Sequence, residues 1–283
     1  MFKINHDLHN HTGLSVCSSD KSFSAEHIVA HAKECGYDTV CITNHCWDEE
    51  IPCTSEFYRL QPLSHIRKAL PLPKDDEVKC LWGIETEYCG KEKLGLLPKH
   101  FDEFDMIIVP VNHFMKGFTI EDRDYTNGEY FKLQLERLEE LLLLDLPWKK
   151  IGIAHLTWWE PDEADDVNEL LALEDRYFKV FKTLAERGAG IEFNSDTFKW
   201  SHPSVKDELE KLPPASRHGK CTSYDKLLWL YSLAKKAGCK FYIGSDSHTH
   251  LRLDWPKMYI SRIIDDLKLE ESDRFFPQKQ ETL

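Results

Sequence analysis

The chain has 283 residues, 41% hydrophobic and 30% charged, which is enough apolar material for a sizeable core and excludes a disordered chain. Thirty-six basic against 49 acidic side chains leave a net charge of −13, which disfavours duplex nucleic acid as a partner. Nine scattered cysteines with no C-x-x-C pair exclude a disulfide framework and fit a reducing compartment.

Seven short β-branched or aromatic runs predict strands at residues 4–8, 39–43, 78–84, 106–111, 151–154, 190–193 and 240–244. Between them, apolar residues recurring every three or four positions predict helices, among them 25–35, 130–144, 175–187 and 224–237. Glycine stops at several helix-to-strand junctions, as in ECGYDTVCIT and ERGAGIEFN, complete a βαβα alternation. An α/β fold with parallel strands follows, either closed into a barrel or doubly wound. No Pro/Gly/Ser linker divides the chain, so residues 1–283 read as a single domain. The polar, proline-containing stretch 195–223 is long for a βα connection and reads as a functional loop. The longest apolar stretch, residues 141–144, is too short to cross a bilayer, and the N-terminus has no apolar signal region. A cytoplasmic protein without membrane association is expected.

Almost every predicted strand ends in a residue able to ligate a metal. The first runs into His9 and His11, whose spacing of two projects both from one face of an extended chain. The next four end at His45, Glu85, His113 and His155, the sixth at Glu192, and the seventh at Asp246 and His248. In parallel barrels those strand ends converge. A single histidine near a strand end is more often an ordinary satisfied polar residue, but that account would have to repeat independently at each strand. Imidazole and carboxylate together suit zinc, manganese or iron, and a site holding more than one such divalent ion can activate water and clamp a phosphoryl group. Glu87 reads as a solvated rim carboxylate, and Glu192 as a group that orients a ligand or water rather than a ligand itself. His27, His31, His65 and His100 read as surface imidazoles, and Cys17, Cys41 and Cys46 as small side chains without a nucleophile signature.

The motifs DLHNHT, ITNH, GIE, VNHF, the strand-end His155, IEFNS and GSDSHT, in this order, resemble the polymerase and histidinol phosphatase (PHP) domain family over nearly the whole chain. The resemblance implies a distorted seven-stranded TIM-like (β/α) barrel with up to three metal ions. It implies a first metal on His9, His11, Glu85 and Asp246, the four residues assigned to catalysis, and a second that shares Glu85 and adds His113 and His155. A third would take His45 and His248 with a residue of the loop after the first strand, where counting back from Gly36 selects Asp20. The chain departs from the family at Asn44, where the family often has Asp, and at Lys21, where a Gly commonly follows the loop ligand.

Stand-alone members of this length resemble histidinol-phosphate phosphatases, so the expected activity is hydrolysis of a small phosphomonoester by a metal-activated hydroxide. Arg217, with Lys199 behind it, is the expected phosphate clamp. A nuclease or nucleotide phosphodiesterase is the alternative. Amidohydrolase-type hydrolysis and a metal-binding regulatory module without turnover are the readings from other classes.

Overall fold

The computed structural model describes residues 1–156, 171–205 and 223–278. Its strands are β1 (His6–Asn10), β2 (Thr39–Ile42), β3 (Lys79–Glu85), β4 (Met106–Pro110), β5 (Ile151–Ala154), β6 (Gly190–Asn194) and β7 (Lys240–Gly244). All pair in parallel and in sequence order. Beyond the last rungs, Asn10 bridges Ser247, Asp246 N–H donates to the His9 carbonyl at 2.9 Å, and His11 N–H donates to the Ser247 carbonyl at 2.8 Å. The ends of β1 and β7 thus meet, giving a nearly closed, TIM-like α/β barrel.

The strands are buried on both faces, which is why they appear as continuous apolar runs rather than alternating ones. Outward residues such as Val40, Ile107, Ile153, Ile191 and Phe241 join the large core under the helices. Residues of the opposite parity, among them Cys41, Leu81, Met106, Ile108, Ala154 and Tyr242, form a separate cluster inside the barrel. Phe275 plugs that interior: its N–H donates to the Phe241 carbonyl at 2.7 Å, and a Cβ on Gly190 would lie 2.6 Å from its ring. The same inward parity carries β3 from Leu81 through Gly83 to Glu85, and β7 from Tyr242 through Gly244 to Asp246. Apolar packing fills the lower barrel, and the ligand-type side chains crown it.

The helices include α1 (Ala25–Cys35), the short α2 (Glu56–Arg59) and α3 (Leu63–Ile66), α4 (Asn127–Leu141), α5 (Glu174–Arg187), α6 (Ser195–Trp200), α7 (Tyr224–Lys236), α8 (Trp255–Tyr259) and α9 (Ser261–Asp266). On α5, Tyr177, Val180, Phe181 and Leu184 are buried, the spacing of a single helical face. Gly188, at φ +84°, then ends the helix in the left-handed region. No helix among the described residues is long and apolar enough to cross a membrane.

Most boundaries agree with the sequence reading to within a residue, and three places differ by more. β1 begins at His6 rather than residue 4, because its rungs to β2 start at His6–Thr39, and after a register irregularity between Asp7 and Asn10 it runs on to Asn10 rather than ending at residue 8. α4 starts three residues earlier than predicted, because Thr126 and Glu129 form a reciprocal capping box ahead of the apolar periodicity, and it ends three residues earlier, at Leu141. The predicted loop 195–223 opens with α6, because the Asn194 side chain accepts the N–H groups of Asp196 and Thr197 at 3.0 and 3.1 Å. Residues 206–222 of that stretch lie outside the described residues.

Candidate metal centre

The strand ends do converge. Glu85, at the end of β3, is fully buried, and its carboxylate faces ring nitrogens from four other strand ends. Its Oε2 lies 2.9 Å from His45 Nδ1, 3.2 Å from His11 Nε2 and 3.3 Å from His9 Nε2. Its Oε1 lies 3.8 Å from His155 Nε2 and 4.0 Å from His113 Nε2. Neither oxygen makes a hydrogen bond in this crowd. Asp246 faces the same space, 3.2 Å from His11, 3.4 Å from His155 and 3.6 Å from both His9 and His248. His9 and His11 meet at 3.1 Å between their Nε2 atoms, and His11 stacks on His248 with centroids 4.1 Å apart.

These atoms form three overlapping groups, each compact enough to hold an ion: His9, His11 and Asp246; His9, Glu85 and His155; and His11, His45 and His248. His113 stands beside the second group, its Nε2 3.2 Å from His155 Nδ1. A buried carboxylate without hydrogen bonds carries a desolvation penalty that a cation would relieve. Imidazole nitrogens and carboxylate oxygens together are the donor set of zinc and its first-row neighbours. By both tests the residues present fit divalent metal ions.

The backbone is arranged for this. His155 and Asp246, neither of them glycine, hold φ of +52° and +51°, a left-handed conformation that costs roughly 1–3 kcal/mol and concentrates at functional sites. A Cβ on Gly244 would lie 2.7 Å from that of His9 and would also strike the Glu192 carboxylate, so only glycine lets β7 approach β1 and β6 here.

Burial lowers the basicity of the imidazoles, and the carboxylates oppose it unequally. His9 is raised well above its usual range, because Glu192, Glu85 and Asp246 outweigh burial. His113 is raised to about 9, because Glu87 outweighs burial. His248 is pushed down to about 3 by burial and His11, and His45 and His155 are also lowered, chiefly by burial. Burial would raise Glu85 and Asp246, but the surrounding imidazoles hold both well below the carboxylate range. The electrostatics keep the carboxylates ionised, the form that binds a cation.

Other sequence-singled residues are placed less uniformly. Glu192 touches the cluster from behind: its Oε1 lies 2.6 Å from His9 Nδ1, and its Oε2 accepts the His155 N–H at 3.0 Å. Asp20 is not in the groups found among the described residues; it accepts the N–H and O–H of Ser22 at 2.9 and 2.6 Å, and His11 occupies the corresponding place beside His45 and His248. Lys199 is nearly buried, its ammonium 4.6 Å from the ring centroids of Trp200 and Trp255. Arg217 lies outside the described residues.

Glu87 is a correction. It is fully buried rather than solvated, with its Oε1 2.6 Å from His113 Nδ1, because the chain after β3 folds inward under Tyr58. Ser15 also escaped the sequence reading: its hydroxyl lies 3.1 Å from His11 Nδ1 and donates to Asn44 Oδ1 at 3.1 Å. Asn44 Oδ1 further accepts the Thr12 N–H at 2.8 Å, so the neutral amide supplies the acceptor that a carboxylate would. A lone serine in a polar loop carries no pattern that would have revealed this.

Fold and site together define an α/β barrel with a metal-ligand cluster at the C-terminal mouth of its strands. The chain belongs to the PHP domain family, whose model matches residues 7–196. Family and clusters together support a metal-dependent hydrolase. No curated protein matches the chain in sequence. Among solved structures it is similar to a histidinol phosphate phosphatase from Lactococcus lactis subsp. lactis complexed with zinc, L-histidinol and phosphate, at a TM-score of 0.54 and 15% identity, covering 95% of this chain and 98% of that one. Weaker similarities are to a Xaa-Pro dipeptidase with bound methionine (TM-score 0.40, 12% identity, covering 95% and 72%) and to an atrazine chlorohydrolase from Arthrobacter aurescens TC1 complexed with zinc (0.41, 9%, covering 97% and 70%).

Proposed function

We propose that this protein is a metal-dependent phosphoesterase acting on a small phosphomonoester, with two to three divalent ions, zinc, manganese or iron, in the cluster. The observation that carries the reading is the Glu85 carboxylate, buried, ionised and free of hydrogen bonds, set between imidazoles that reach it from both sides. One carboxylate so placed could serve two neighbouring ions, and paired ions are suited to phosphoryl transfer. His9, His11, Glu85 and Asp246 would hold one ion, Glu85, His113 and His155 a second, and His11, His45 and His248 a third. When bound, such ions acidify water and neutralise charge on phosphoryl oxygens.

The protein's own residues do the rest. Glu192 keeps Nδ1 of His9 engaged, so that Nε2 faces the cluster. Burial of the ligand set keeps bulk water from screening it. Arg217 and Lys199 stand as candidates to bind the phosphate. The similar Lactococcus lactis enzyme carries zinc, L-histidinol and phosphate on the same fold, which agrees with a monoester.

The test is initial-rate hydrolysis of a phosphomonoester panel that includes histidinol phosphate, alongside phosphodiesters, by metal-stripped protein reloaded separately with zinc, manganese and iron. Metal-dependent monoester turnover that His9→Ala abolishes is expected. Turnover of diesters alone, or metal binding without phosphoester turnover, would overturn the reading.

A further inference from the structure

Glu87 is absent from every ligand group, yet it is as deeply buried as Glu85, two residues before it. Its Oε1 contacts Nδ1 of His113 at 2.6 Å, and the Tyr58 hydroxyl donates to that same oxygen. Tyr58 is itself only 1% exposed and comes from α2, in the long connection between β2 and β3. From the other side, Arg137 on α4 donates to the His113 carbonyl at 3.4 Å and to the Thr119 carbonyl, fixing the backbone that carries the ring. The His113 ring is thus held at Nδ1, with Nε2 directed at His155 and Glu85. The pattern repeats at His9, where Glu192 sits 2.6 Å from Nδ1 and Nε2 faces Glu85.

We infer that Glu87 is a positioning residue for the metal centre, and that Tyr58 orients it. Glu87 accepts the Nδ1–H of His113, which selects the tautomer whose Nε2 lone pair faces the cluster and strengthens that nitrogen as a donor. Tyr58 supplies the O–H that holds this carboxylate oxygen aimed at His113 in a buried site. The inference rests on reading the cluster as a metal site. It assigns the β2–β3 connection a part in that site.

The experiment uses the full chain and zinc alone. Metal-free wild type, Glu87→Gln, Glu87→Ala and Tyr58→Phe are titrated with zinc against a chromophoric chelator, and their cobalt-loaded forms are compared by visible absorption. Glu87→Gln keeps the shape and is expected to weaken zinc binding at the His113 position about tenfold, with Glu87→Ala nearer 100-fold, both with altered cobalt bands. Tyr58→Phe is expected to fall between wild type and Glu87→Gln, and adding it to Glu87→Gln should produce little further change. Unchanged zinc stoichiometry, affinity and cobalt spectrum in Glu87→Gln would overturn the inference. So would a lower unfolding midpoint of the metal-free variants with zinc affinity intact, which marks a purely structural role. Should Glu87→Ala fail to fold, the isosteric Gln variant decides. Wild type that binds neither metal would instead sink the metal reading itself, whereas missing phosphoester turnover bears on the proposed function alone.

Discussion

At Gly244 the whole centre depends on one missing methyl group. A Cβ there would lie 2.7 Å from the Cβ of His9 and would also strike the Glu192 carboxylate, so the proposed ligand His9 and the carboxylate beside it both occupy space a side chain would claim. Gly244→Ala is expected to destabilise the protein by about 1–3 kcal/mol, as overpacked interiors do, and to lower its zinc content. Urea unfolding with metal analysis of the folded fraction measures both. Normal stability with full metal content would show that β1 and β7 have slack at this point. The residues that converge at the barrel mouth were legible because each is a chemically distinctive residue at a strand end. Glu87 was misread for a related reason: two carboxylates spaced by two look alike in sequence, and only the fold shows Tyr58 covering the second.

Among the elements, α1 shows how much of a helix is written locally. Its buried residues Ala25, Ile28, Val29 and Ala32 mark one face, the Ser24 N–H donates to His27 Nδ1 at 3.2 Å at its start, and Gly36 at φ +66° ends it. The predicted bounds match, because periodicity and stop signal coincide. Gly36→Ala separates conformation from space: the nearest atom to its Cβ would be Lys257 Nζ at 3.8 Å, so nothing clashes, yet the left-handed backbone opposes a side chain. A loss of roughly 1 kcal/mol in thermal or urea unfolding is expected, with zinc affinity unchanged. A fall in zinc affinity would mean that α1 reaches the centre in a way its position does not suggest. In α4 the capping box at Thr126 and Glu129 set the start earlier than the apolar pattern did, because a cap acts through backbone N–H groups and leaves no hydrophobic trace.

For the molecule as a whole, folding gathers ionised carboxylates and partly lowered imidazoles into a buried space, an arrangement that bound ions stabilise and their removal exposes. Metal-stripped protein is therefore expected to unfold at a lower temperature than zinc-loaded protein, by about 4 kcal/mol of stability at free zinc a thousandfold above Kd. The gap should widen as pH rises toward the His113 value of about 9, since uptake displaces that proton and the metal-free fold loses the stability the protonated ring gave it. Calorimetry at several pH values with and without a chelator measures this. Equal midpoints in both forms would count against any ion being bound in the cluster.

The sequence alone determined the parallel α/β architecture and which residues could serve as ligands, because strand runs, helical periodicity, glycine stops and ligand-type residues at strand ends are all local signals. Tertiary structure decided what no local signal carries. It closed β1 onto β7, required glycine where those strands meet His9, buried Glu87 behind His113, turned Asp20 toward Ser22, and put His11 beside His45 and His248. These outcomes follow from which side chains meet across the barrel mouth, and contacts between residues far apart in the chain are fixed only when the barrel closes.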